Sequence, residues 1–203
     1  HAGRNRKGMK RSTKTATFND APHRDVIRYY DQTRFDYRVA WTGKGNRAVH
    51  FGFYDGQAHR HADALLNTNR RLADLADIRP GERVLDAGCG QGGSCFWLAR
   101  HRSVRAVGIT PVAGQIEQCL EGAAELGLRT ETAFHQADFC ATPFEDETFD
   151  VVWACESVCH APDKAAFYRE AARVLKPGGR LVMAEYIRRR RPLLEAEERL
   201  LAG

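Results

Sequence analysis

An apolar run that ends in closely spaced glycines is the feature that most constrains this chain. Residues 84–87 are apolar apart from Asp86, and glycines follow at positions 88, 90, 92 and 93, before a segment typical of a helix. Glycine leaves room for a ligand to approach the main chain, so the pattern predicts a strand, a turn and a helix with a nucleotide-like cofactor against the turn. On these residues alone, a tight turn without a ligand remains the alternative.

Further apolar runs alternate with helix-like segments after residue 83. Strand-like runs cover 104–109, 130–136, 149–154 and 180–187, a helix is expected over 165–175, and residues 176–179 form a turn. Strands separated by helix-length segments favour an α/β fold with a doubly wound, Rossmann-like, mostly parallel sheet and helices on both faces. Ligands of such sheets bind beyond the carboxyl ends of the strands.

The chain before residue 80 has a different pattern. Residues 23–40 and 58–76 are expected to be helical, and an aromatic, glycine-bearing loop at 41–56 separates them. We interpret 23–79 as a helical lid over the cofactor site, with an ordinary helical extension packed on the sheet as the alternative. Residues 1–22 form a basic, disordered tail, and 80–203 form the cofactor-binding domain. Residues 195–201 still have a helical pattern, so we expect the C-terminal part of that domain to be missing.

Composition limits the classes of protein to consider. The chain has 203 residues, of which 43% are hydrophobic, enough for one core, and it lacks the run of roughly 20 apolar residues that spans a membrane. The net charge of +5 comes from six basic residues in the tail, which is either solvated or in contact with phosphate or acidic lipid. The remainder is nearly neutral and offers no basic groove, so nucleic acid is not an expected partner. Residues 188–191 are a second basic run, either solvated or facing an anionic substrate group.

The cysteines indicate the cellular compartment. Six are scattered without paired spacing, which fits reduced thiols in a cytoplasmic protein. Cys155, Cys159 and His160 lie close in sequence, but their spacing matches no common zinc site, so no metal is expected.

Four segments together resemble class I S-adenosylmethionine-dependent methyltransferases. They are residues 85–93, 137–139, 149–153 and 175–181, and the resemblance covers about residues 25–190. Within that superfamily, residues 155–164 are similar to a segment of the sterol and tocopherol C-methyltransferases, a group that also methylates prenyl chains and other small natural products. Tyr29-Tyr30-Asp31, Trp41 and His50-Phe51-Gly52 resemble the N-terminal lid of that group.

The resemblance implies S-adenosylmethionine as cofactor. Gly88, Gly90 and Gly92 would let the backbone approach its methionine and ribose parts, and Asp86 would be a charge partner of the ammonium group through water.

The other end of the cofactor has its own candidates. Thr110 and Gln115 stand where most relatives place an acid for the ribose hydroxyls, a departure also found in the sterol and tocopherol group. Asp138 would accept from the adenine amino group and the Phe139 N–H would meet a ring nitrogen, although Asp138 as a loop cap is the alternative.

The resemblance also implies a small, largely apolar acceptor, sterol- or prenyl-like, methylated at carbon. Aromatic faces stabilise the resulting cation, and a base removes a proton. Glu156 and His160 are the leading proton acceptors, with purely structural roles as the alternative. Tyr30 and His50 are secondary candidates, or ligands of the methionine carboxylate.

Other functions remain open on the sequence. One is O- or N-methylation of a small natural product, and another is a methyltransferase-fold binding protein without turnover. Contacts through the N-terminal helix or a further C-terminal part would allow a homo-oligomer.

Overall fold

Five strands and their connecting helices make up most of the described chain. A computed structural model describes residues 24, 27, 28, 47, 50–56 and 58–186. In chain order the elements are α1 (His61–Leu75), β1 (Arg83–Ala87), α2 (Gly93–Arg102), β2 (Arg105–Thr110), α3 (Ala113–Leu126), β3 (Thr132–Gln136), β4 (Phe149–Cys155), a short 3-10 helix (Val158–His160), α4 (Lys164–Val174) and β5 (Leu175–Ala184).

The strands form one parallel sheet in the order β3-β2-β1-β4-β5. Leu85 of β1 lies opposite Val107 of β2 on one side and Val152 of β4 on the other. The chain therefore moves outward from β1 through β2 and β3, then returns to add β4 and β5 on the opposite side. This reversal confirms the predicted doubly wound α/β fold, and it opens a crevice at the carboxyl ends of β1 and β4.

Each face of the sheet has its own apolar core, because successive side chains of a strand point to opposite faces. Val84 and Trp153 belong to the core that also holds residues of α1, α2 and α3. Leu85 and Val152 belong to the other core, with Phe167 of α4. Strands covered on both faces explain the nearly continuous apolar runs in the sequence.

The last strand departs from the prediction at its start. Leu175, expected at the end of a helix, pairs with Phe149 as the first residue of β5, and pairing resumes where Arg180 meets Val151. Residues 176–179 lie between these two pairings, and Gly178 has a positive φ of 77°. The predicted turn is therefore an interruption within the strand.

The α1 helix is part of the domain core. Leu72, Ala73 and Ile78 lie in the same cluster as Val84, so this part of the predicted lid is a packed extension of the sheet domain. Within the described residues, no helix is long and apolar enough to cross a membrane.

Several sequence predictions concern residues outside the described ranges. They are the basic tail, most of the helix over 23–40 with Tyr29 and Tyr30, the loop around Trp41, the arginines at 188–191 and the helix at 195–201. These predictions stand as made.

Candidate functional site

The glycine turn after β1 lies against the loop that follows β4. Gly88, Gly90 and Gly92 have positive φ angles of 105°, 51° and 82°, which glycine adopts without strain. A Cβ at Gly88 would lie 2.3 Å from the Cβ of Ser157. The Ser157 hydroxyl donates to the Ala87 carbonyl oxygen at 2.6 Å and thereby joins the two loops. Only glycine fits at position 88.

The second strand supports the same turn. The N–H groups of Gly88 and Cys89 both donate to the Ile109 carbonyl oxygen, at 3.0 and 2.9 Å. Beside them, the Thr110 hydroxyl donates to Oε1 of Gln115 at 2.7 Å. The two residues predicted to share the ribose hydroxyls are thus in direct contact.

Asp86 is a buried carboxyl beneath the turn. Its residue is 2% exposed, and the Cys95 thiol donates to its Oδ2 at 3.3 Å. Burial raises the pKa of Asp86 to about 7. The side chain lines a cavity of about 30 Å³ together with the glycine turn, His50, Ser94 and Arg47. A cation placed there would relieve the cost of ionising this carboxyl.

His50 supplies an acceptor to the same cavity. Its Nδ1 donates to the Phe51 carbonyl oxygen at 3.0 Å, and burial lowers its pKa, so the imidazole is neutral at neutral pH. Its Nε2 is buried, and the described part of the chain offers it no well-formed hydrogen bond. A neutral ring with an acceptor nitrogen suits an ammonium group better than the carboxylate considered from the sequence.

Arg47 also lines the cavity, but its guanidinium is paired with Glu125, and it was not singled out from the sequence. Its guanidinium donates to the Gln118 carbonyl oxygen at 3.1 Å and to Oε2 of Glu125 at 2.6 Å. The Asp86 carboxyl, the buried Nε2 of His50 and the glycine cradle therefore surround one small space. These groups suit the ammonium of a methionine moiety.

The predicted adenine residues lie on the next loop. The Ala137 N–H donates to the Thr110 carbonyl oxygen at 3.1 Å, which places this loop beside the Thr110–Gln115 pair. Oδ1 of Asp138 accepts from the Cys140 N–H at 2.7 Å, the contact expected of a loop cap. The Phe139 ring packs edge-on against Phe167 at 5.6 Å. The roles of both residues toward adenine stay predictions.

Glu156 occupies the carboxyl end of β4, with a positive φ of 54°. Its Oε1 accepts from the Phe51 N–H at 2.9 Å, and its Oε2 accepts from the Tyr186 hydroxyl at 2.6 Å. The rings of Phe51 and Tyr186 meet edge to face at 5.8 Å. Both carboxylate oxygens are thus held, and one partner belongs to the segment before α1.

His160, the other leading proton acceptor, is exposed on the short 3-10 helix. The hydrogen bonds described above for Glu156 go to Phe51 and Tyr186, so the catalytic roles of Glu156 and His160 stay separate predictions. Tyr30 lies outside the described residues.

Residues 50–56, here called the lid segment, are fastened to α1 by buried polar side chains. The Phe53 N–H donates to the Thr68 hydroxyl at 2.8 Å, and that hydroxyl donates to the Phe51 carbonyl oxygen at 2.9 Å. The Asn67 amide donates to the Phe53 carbonyl oxygen at 2.8 Å. With the bond from Phe51 to Glu156, the lid segment bridges α1 and the site.

Glu185 holds the loop after β4 from the end of β5. Its carboxylate accepts from the N–H groups of Ser157, Val158 and Cys159, at 2.9, 2.5 and 3.2 Å. Glu185 and Tyr186 were not predicted as site residues, although their position at the carboxyl end of a predicted strand was a usable signal. Asn67 and Thr68 carried no such signal, because polar residues within a helix usually face solvent.

The six cysteines are free thiols in this structure. Cys89, Cys95 and Cys119 are buried around the glycine turn. The hydrogen bond with Cys119 and burial raise the pKa of Cys89, and burial raises the pKa of Cys95. No group of three or more potential metal ligands converges in the described ranges.

A glycine turn at the switch point of a doubly wound sheet, with acceptor groups for an ammonium beneath it, defines a Rossmann-like cofactor-binding protein. Residues 85–183 match the family described as "Methyltransferase domain". The chain belongs to the class I S-adenosylmethionine-dependent methyltransferases. S-adenosylmethionine is thereby confirmed as the methyl donor of its family, and a related geranyl diphosphate methyltransferase has been solved in complex with it.

Individual relatives indicate the range of chemistry. Methyltransferase GfsG of Streptomyces halstedii is 35% identical over 173 residues, which cover 84% of this chain and 61% of that protein. The sterol 24-C-methyltransferase of Schizosaccharomyces pombe is 37% identical over 163 residues, covering 80% of this chain and 42% of that protein. Two relatives in Arabidopsis thaliana are named as a tocopherol O-methyltransferase and a phosphoethanolamine N-methyltransferase.

Among solved structures, the cyclase SpnF aligns with a TM-score of 0.71 at 32% identity, over 79% of this chain and 58% of that one. The chain spans between about a quarter and three fifths of the length of the curated relatives given above.

Proposed function

We propose that this protein transfers a methyl group from S-adenosylmethionine to a carbon atom of a small, largely apolar acceptor. The observation that carries the proposal is the position of the Glu156 carboxylate. It lies at the switch point of the sheet and accepts hydrogen bonds from the Phe51 N–H and the Tyr186 hydroxyl. Phe51 is 54% exposed and Tyr186 is 59% exposed, so aromatic surface surrounds a potential base.

The cofactor's methionine part would lie on the glycine turn, with its ammonium group between Asp86 and His50. Thr110 and Gln115 would meet the ribose, and Asp138 with Phe139 would meet the adenine. When bound, the cofactor supplies an electrophilic methyl group on a sulfonium. The chain itself has to orient the acceptor, exclude water and manage charge.

Methyl addition to an alkene leaves a cation on the acceptor. The rings of Phe51 and Tyr186 would stabilise that charge through their π faces. A carboxylate offers about four lone-pair sites, so Glu156 retains capacity to accept a proton while it keeps the two bonds it has here. Loss of the proton to Glu156 would restore the double bond.

Methylation at oxygen or nitrogen is the second candidate, because relatives carry such names. The exposed His160 would then take the proton of a polar acceptor. One structural relative is named as a cyclase, so a function without methyl transfer is a further candidate.

A transfer assay with S-adenosylmethionine labelled in its methyl group tests the proposal. We expect label on carbon in sterols or prenyl-bearing compounds, and little or none on simple phenols and amines. Each product is to be identified by mass spectrometry and NMR. Label found only on oxygen or nitrogen would overturn carbon methylation, and acceptor conversion without label would favour a cyclase-like function.

A further inference from the structure

Residues at the end of β5 form hydrogen bonds with the loop that carries Glu156 in two places. The Glu156 N–H donates to the Ala184 carbonyl oxygen at 2.8 Å, and Glu185 accepts three N–H groups from the residues just after Glu156. These bonds hold the main chain on both sides of a residue with an unfavourable positive φ of 54°. The backbone of Glu156 is therefore fixed before its side chain is considered.

Tyr186 then holds the side chain. Its hydroxyl donates to Oε2 of Glu156 at 2.6 Å, and its ring contacts Phe51, whose N–H donates to Oε1. Burial and the neighbouring carboxylate raise the pKa of Tyr186, so its hydroxyl remains a donor throughout the usable pH range. A bond to a charged acceptor is stronger than a neutral one and selects a single carboxylate orientation.

We propose that Tyr186 is the positioning residue of Glu156, which fixes the carboxylate so that a free lone pair faces the acceptor. Tyr186 acts through Glu156 and the lid segment, and it needs no role as base. This inference rests on the proposed function, in which Glu156 receives the proton.

Tyr186→Phe removes the hydroxyl and keeps the ring against Phe51. With the acceptor that is methylated fastest in the transfer assay, we expect kcat to fall about tenfold, while KM for the acceptor and Kd for S-adenosylhomocysteine stay within about twofold. The matched control is Tyr168→Phe, which removes the hydroxyl of an exposed tyrosine that donates to the Met183 sulfur at 3.6 Å. We expect the control to behave as wild type.

A double-variant cycle separates positioning from a general structural role. If Tyr186 works through Glu156, then Tyr186→Phe should cost nothing further in a Glu156→Gln background. If the reductions in kcat caused by the two single substitutions multiply in the double variant, the proposal is overturned. Normal turnover of Tyr186→Phe beside a slow Glu156→Gln would also overturn it while leaving the proposed function intact, and normal turnover of Glu156→Gln would remove both.

A crystal structure of Tyr186→Phe with S-adenosylhomocysteine decides the matter if no acceptor in the panel is methylated. We expect the Glu156 carboxylate to move by more than about 0.5 Å from its wild-type position. An unmoved carboxylate would overturn the positioning role.

Discussion

At the residue scale, Asp86 links the free energy of folding to cofactor binding. Burial raises its pKa to about 7, whereas an aspartate in an unfolded chain titrates near 4. The folded state therefore binds the proton more tightly. The free energy of unfolding should consequently fall as pH rises from about 4 to about 7, by up to roughly 4 kcal/mol.

Asp86→Asn should remove this component of the pH dependence, as measured by urea unfolding at pH 4.5 and 7.5. An ammonium group beside Asp86 would favour the ionised carboxyl, so binding of S-adenosylhomocysteine near pH 6 should release a proton. Titration calorimetry in buffers of different ionisation enthalpy measures that release. Equal pH dependence and equal proton release in wild type and Asp86→Asn would contradict this account of Asp86.

Individual residues also show which parts of the site could be predicted from the sequence and which could not. Glu156 was identifiable because its motif follows a strand, and the glycines were identifiable because a close approach requires them. The contacts of Glu156 were not, although Tyr186 lies at the end of a predicted strand, since Phe51 contributes its backbone N–H and Tyr186 lies 30 residues further along. Hydrogen bonds across such separations depend on sheet order, which local patterns do not contain.

At the scale of elements, α1 and the lid segment form a unit. Thr68 serves as donor and acceptor within this unit, and Gly52 packs so closely that a Cβ there would lie 2.6 Å from the Ala64 Cβ. The sequence predicted the helix, but it left open whether the region packs or covers the site. The structure shows that α1 packs into the core while the lid segment reaches Glu156.

Thr68→Val keeps the shape of the side chain and removes its hydrogen bonds to the lid segment. Losing about 1 kcal/mol should speed amide hydrogen exchange in residues 51–54 about fivefold. Exchange measured by mass spectrometry after proteolysis checks this. Thr148→Val is the matched control, because the Thr148 hydroxyl donates to the Glu145 carbonyl oxygen far along the chain from the lid segment. Unchanged protection of 51–54 in Thr68→Val would show that other contacts hold the lid segment.

At the scale of the whole molecule, the alternation of apolar runs and helices predicted the architecture well. Buried parallel strands need apolar residues on both faces, and that requirement is visible locally in runs such as 149–154. The ends of elements were less predictable, as Leu175 shows: its helical pattern continues from α4, but its backbone pairs with Phe149. The order of strands explains why loops that are distant in sequence meet at one edge of the sheet.

We infer that the glycine turn is the floor of the cofactor site, and calorimetric titration with S-adenosylhomocysteine tests this placement. Wild type should bind one molecule per chain. Gly88→Ala should bind none detectably, because the new Cβ would meet Ser157 at 2.3 Å. Gly81→Ala is the control: its φ of 83° imposes similar backbone strain, but nothing lies within 4 Å of the added Cβ, so its affinity should match wild type. Absence of binding to wild type, or full affinity in Gly88→Ala, would contradict the account.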